Sequence, residues 1–139
     1  METSEVRRRV TQTIERAKKH AAERRARSDE AGRAFEVLLN TIAVPLFRQA
    51  ANILRSEGYL FNLFTPSGSV RLMSDRAAED FIEVSLDVSG EVPQVVGHAS
   101  RSRGRRVVES ERPLGEPGTL TEEDLLEFLT KELEAFVER

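Results

Sequence analysis

The chain has no cysteine and no tryptophan, and only one tyrosine and two histidines among 139 residues. Without cysteine there is no disulfide framework, no thiolate zinc site and no thiol nucleophile, a composition that suits a reducing, cytoplasmic setting. No phosphate loop, dinucleotide-binding glycine turn, HExxH pair or nucleophile elbow occurs. The expectation is therefore a protein with no enzymatic activity, cofactor or metal. Apolar runs are also short. The opening METSEVRRRVTQTIERAKKH lacks the apolar centre of a signal peptide, and no later run approaches membrane-spanning length.

What is present is charge, unevenly divided. Residues 1–34 hold ten Lys/Arg against six Asp/Glu, and residues 35–139 hold eleven against eighteen. One domain is expected, with a basic, partly exposed helical arm over 1–34 and an acidic α+β body over 35–139. From Thr3 to Leu39 there is no proline and one glycine, Gly32. Val10, Ile14, Ala17, Ala21, Arg24, Ser28, Ala31, Phe35, Leu38 and Ile42 recur at alternating spacings of four and three, which marks one long helix. Its seam is apolar at both ends and small or polar in the middle. That pattern fits docking through the ends better than a continuous coiled coil.

Proline disfavours α geometry in the residue before it, so Pro45 predicts a break or kink near Asn40–Val44. A second helix should follow, presenting Leu46, Phe47, Ala50, Ile53 and Leu54, with Gly58 as its left-handed cap. From Tyr59 the period becomes two. YLFNLFT and VRLMS flank TPSGS as a hairpin, and Tyr59, Leu60, Phe61 and Phe64 give the first strand two apolar faces. A strand of that kind wants cover on both sides: one face can take the chain's own helices, and the other should meet the N-terminal helix or a second subunit, which makes these residues interaction candidates and a homodimer the simplest oligomer.

DFIEVSLDVSG alternates cleanly, with Ile82, Val84, Leu86 and Val88 inward. QVVGHASRS and RRVVESER should pair next. A two-residue turn at Arg103-Gly104 sets Ala99 opposite Val108, His98 opposite Glu109 and Arg101 opposite Arg106. The last segment reads as a helix capped by Thr121 with Asp124, its stripe running through Leu125 or Leu126, Leu129, Leu133, Phe136 and Val137 toward the sheet. Together these predict an antiparallel meander of four to five strands, two helical segments before it and one packed helix after it.

The sharpest chemical signal is ASRSRGRRVVESERP, where Arg101, Arg103, Arg105 and Arg106 surround Gly104. Opposed arginines need an anion. The internal candidates are Asp87, Glu91 and the acidic last helix; the external one is a phosphate, a nucleic-acid backbone or an acidic partner. Single-strand binders interleave aromatics with such cations. Here none precedes Phe35 and none falls between Phe81 and Phe128. The reading that follows is an interaction protein, an adaptor, chaperone-like or assembly factor using the apolar strand and the long helix. Anion or nucleic-acid binding by the arginine tip and basic helix is the alternative.

Overall fold

The computed structural model describes residues 2–138. It is an α+β fold in which helix α1 (Thr3–Leu38) passes through a π-helical turn (Leu39–Ala43) into α2 (Val44–Ser56). Strands β1 (Phe61–Phe64), β2 (Ser69–Ser74), β3 (Phe81–Asp87), β4 (Gln94–Arg103) and β5 (Arg106–Gly115) follow, and α3 (Glu122–Val137) closes the chain. The sheet is an antiparallel meander in the order β1-β2-β3-β4-β5.

The expected break at Pro45 does not occur. Val44 keeps helical geometry, with φ −63° and ψ −48°, and its N–H donates to the Leu39 carbonyl five residues back. Proline has no N–H to return to Thr41, and its ring would press on that carbonyl. Widening the ladder to π spacing one turn earlier absorbs the misfit without ending the helix. The resulting continuous helix contains an 18-residue window of mean hydropathy 1.3, enough by length and composition alone to cross a membrane. In the sequence the run is interrupted by Pro45, Arg48 and scattered polar residues, which conceal it. In the fold, this helix supplies Phe35, Leu38, Leu39, Ala43, Leu46, Phe47 and Ala51 to the core.

Helix α2 buries Leu46, Phe47, Ala51 and Leu54, while Ile53, expected on the same side, is exposed. It ends where expected: Gly58 has φ +91°. On the sheet, Phe61, Val70, Leu72, Ile82, Val84, Val95 and Ala99 share the face that α2 and α3 cover. Val88 lies past the end of β3 and is exposed. Helix α3 is fixed at its start by the expected capping box, Thr121 Oγ1 accepting from the Asp124 N–H and Asp124 Oδ2 accepting from the Thr121 N–H. It buries Leu125, Phe128, Leu129 and Phe136, whereas Leu126 and Val137 stay exposed. Phe128 rests on Gly97 of β4, and Phe136 meets Phe61 of β1 edge-to-face at 5.6 Å.

Candidate functional site

Three surfaces compete for a functional role. The first is the hairpin joining β4 and β5. Its turn is Gly104-Arg105, one residue later than the sequence suggested: Gly104 takes φ +64° while Arg105 does not have positive φ, the pattern of a type II′ turn. Every cross-strand pair therefore moves by two residues on β5. Arg101 faces Val108, Ala99 faces Ser110, His98 faces Glu111, and the directly opposed like charges are Arg103 and Arg106. A shift of two leaves every side chain on its expected sheet face, which is why alternation alone could not reveal it.

The hairpin stands beyond the rest of the sheet, because β3 stops pairing at Phe81↔Ser100 while β4 runs on to Arg103. Asp80 replaces the missing strand partner. Its buried carboxylate accepts the Ser102 N–H at 2.7 Å and the Ser102 hydroxyl at 3.0 Å, tying the base of the hairpin to β3. Arg103, Arg105 and Arg106 are exposed and Arg101 is half-buried. No ion pair joins these four to a carboxylate among the described residues.

Two internal counterions suggested by the sequence are misplaced. Asp87 pairs with Gln94 at the opposite end of β3, and Glu91 follows in the turn there, so neither can reach the tip. Asp87 instead accepts from the Ser89 hydroxyl and N–H, which hold its carboxyl below the ordinary carboxylate range. Only the end of α3 comes near: Ala135 and Glu138 line a hollow with Arg101, Ser102 and Arg103.

The second surface is the start of the sheet. Phe61 is buried in the core, while Tyr59, Leu60 and Phe64 are exposed. Tyr59 and Leu60 precede β1, so of the second face that alternation implied, Leu60 and Phe64, only Phe64 lies on the strand. They line a small hollow with Phe61, Arg76 and Phe136.

The third surface is α1. Of its 36 residues only Phe35 and Leu38 are buried. From Ala21 onward the seam passes close to the body: Ala21 and Ser28 border the β3–β4 turn, and Ala31 borders the β5–α3 loop. The small side chains in the middle of the seam suit that near approach. Before Ala21 the helix leaves the body. Val6, Val10 and Ile14, at 44%, 52% and 48% exposure, are uncovered, so the helix docks through one end and not both. Arg8 and Arg9 both reach Glu5 on this arm and hold its carboxyl below the usual range.

One cluster escaped the sequence reading. On the sheet face away from the helices, Arg71 binds Glu83 at 2.8 Å and lies 4.0 Å over the Phe81 ring. Phe81 meets the His98 ring edge-to-face at 5.1 Å, and His98 Nε2 stands 3.5 Å from Glu109 Oε1. The expected His98–Glu109 contact thus exists as a diagonal rather than an opposed pair. These residues cover one another: Phe81 is only 8% exposed on a face that no helix caps. The signal was the outward side of β2 and β3, where Arg71 directly faces Glu83. Compared with family models, curated proteins and solved structures, the chain matches none.

Proposed function

We propose that the protein acts by binding another polypeptide through the projecting half of α1, as an adaptor, chaperone-like or assembly factor and not as a catalyst. The observation that carries this reading is the exposed Val6-Val10-Ile14 stripe on an arm that contributes nothing to the core before Phe35. At 1.5 Å per residue, residues 3–20 extend over roughly 27 Å. Helices held only by propensity are marginal in water. A partner groove that takes the i, i+4, i+8 stripe supplies the missing packing. A cytoplasmic location is the setting this reading assumes. Affinity purification from the native host tests it, using wild type against Val10→Glu/Ile14→Glu. A polypeptide retained by wild type and lost from a variant of unchanged thermal stability supports the reading; equal recovery with both proteins overturns it.

A second reading rests on Arg103, Arg105 and Arg106 at the tip, exposed and without an ion pair among the described residues, whose planar donor forks suit phosphate. It expects salt-dependent retention on heparin or single-stranded DNA, lost on changing Arg103 and Arg106 to serine.

A further inference from the structure

We propose that β5 is a self-pairing edge, through which two copies join antiparallel about a two-fold axis at Val108, with the turn residue Arg105 of each copy brought level with Glu111 of the other. This surface is separate from the α1 arm.

The sheet has two edges, and they differ in kind. Strand β1 is four residues long, whereas β5 is ten. Exposed edges are ordinarily kept short, bulged, interrupted by proline or charged, and between Arg106 and Arg112 β5 relies on the last alone, with charges of both signs. Here the register shift at Val95/Val96 and Pro113 both lie at the far end of β5, leaving Arg106 to Arg112 open. Val107 and Val108 point to opposite faces, yet they are 50% and 40% exposed. At Val107 and Val108 the strand therefore stands clear of both neighbouring layers, while farther along Glu109 reaches His98 on one face and Arg112 lies over the Phe128 ring on the other.

The two-residue turn fixes which backbone groups are free. Arg103 and Arg106 flank the turn as a hydrogen-bonded pair, so Arg106, Val108, Ser110 and Arg112 direct their N–H and C=O groups to β4. Val107, Glu109 and Glu111 direct theirs outward. Pro113 occupies the next outward position, where its missing N–H costs no ladder bond.

A two-fold axis perpendicular to the sheet keeps each face on its own side, so only registers that pair residues of the same face are allowed. Centred on Val108, the edge sets Val107 against Glu109 and Arg106 against Ser110, and brings the turn residue Arg105 level with Glu111 beyond the end of the ladder, twice over. Centred on Glu109, it opposes that carboxylate to itself and Arg106 to Arg112. Centred on Val107, the overlap shortens. Opposed unlike charges favour a register and opposed like charges penalise it, which selects Val108. The strand is basic at its turn end and acidic in the middle, so its complement is a reversed copy of itself. The tip arginine, which forms no ion pair with a carboxylate among the described residues, finds one in the partner.

Analytical ultracentrifugation at tens of micromolar tests this with two kinds of variant. Val107→Pro removes an outward N–H and spares the β4 ladder, so the wild-type dimer should become a monomer. Glu111→Arg alone should raise the dimer Kd about tenfold, and Arg105→Glu/Glu111→Arg should recover it. A monomeric wild type overturns the proposal. So does a dimer that survives Val107→Pro, a dimer lost on removing residues 2–30 alone, or a double charge exchange no tighter than the single change.

Discussion

Gly97 has the least room for a side chain of the glycines among the described residues, and replacing it with alanine tests the packing that positions α3. Its strand conformation is one that any residue adopts, so the glycine is required by what lies above it. A Cβ there would fall 2.4 Å from Phe128 Cε1, 2.5 Å from Cζ and 3.0 Å from Cδ1. Phe128 is 2% exposed, and Arg112, directly across the ladder from Gly97, lies 5.3 Å from the ring centroid. The ring thus has little room to yield, and α3 must lift. Overpacking of this kind costs about 1–3 kcal/mol. An overlap this deep belongs to the upper half of that range, and alanine returns about 0.5–1 kcal/mol by restricting the unfolded chain, leaving a net loss of roughly 1–2.5 kcal/mol. For a chain of this size that is a fall in Tm of roughly 3–8 °C. Urea and thermal melts of Gly97→Ala, Phe128→Leu and the double variant provide the measurement. The double variant should lose less than the sum of the singles, because the smaller side chain removes the collision. Gly97→Ala within about 0.5 kcal/mol of wild type, or strict additivity, would refute the close approach of α3 to β4.

The hairpin and the acidic turn give two further expectations. Arg103→Ser/Arg106→Ser removes the directly opposed like charges, so stability should hold or rise by a few tenths of a kcal/mol in denaturant melts; a loss above about 1 kcal/mol would show that the arginines brace the fold. Because the folded Asp87 carboxyl titrates below its unfolded value, its contribution is present above the unfolded value and is lost as pH falls through the folded one. Asp87→Asn should therefore flatten the acid limb of a Tm-against-pH curve and leave its shape above pH 6 unchanged, and an unaltered acid limb would contradict the Ser89 interaction.

Much of the fold is local in origin and therefore legible. The Thr121 capping box, the Gly58 stop, the TPSGS hairpin and the alternation from Phe81 to Asp87 each depend on residues a few positions apart, and each forms as expected. The misreadings share another cause. At Pro45 the sequence states a local preference, but the buried residues on either side, Leu39, Ala43, Leu46 and Phe47, keep the helix running. At Gly104 alternation is unchanged by a two-residue slip, and the turn is set by one φ angle. Tyr59 and Leu60 alternate with Phe61 in sequence but fall before β1 begins. The Arg71–Glu83–Phe81–His98 cluster depends on the order of three strands, which no single stretch encodes. The candidate site was legible in composition, as a basic arm and an arginine-rich turn, and not in geometry. The projection of the hairpin rests on where β3 stops and on the long-range bond from Asp80 to Ser102.

The most direct test of a role carried by α1 is site-specific photo-cross-linking in the native host, with the reactive group placed at Ile14 in one strain and at Arg105 in another. Binding through the arm gives a discrete polypeptide adduct from position 14 that disappears with Val10→Glu, and no nuclease-sensitive adduct from either position. A nuclease-sensitive adduct from position 105 with nothing captured from position 14 would contradict it and make the arginine hairpin the functional surface.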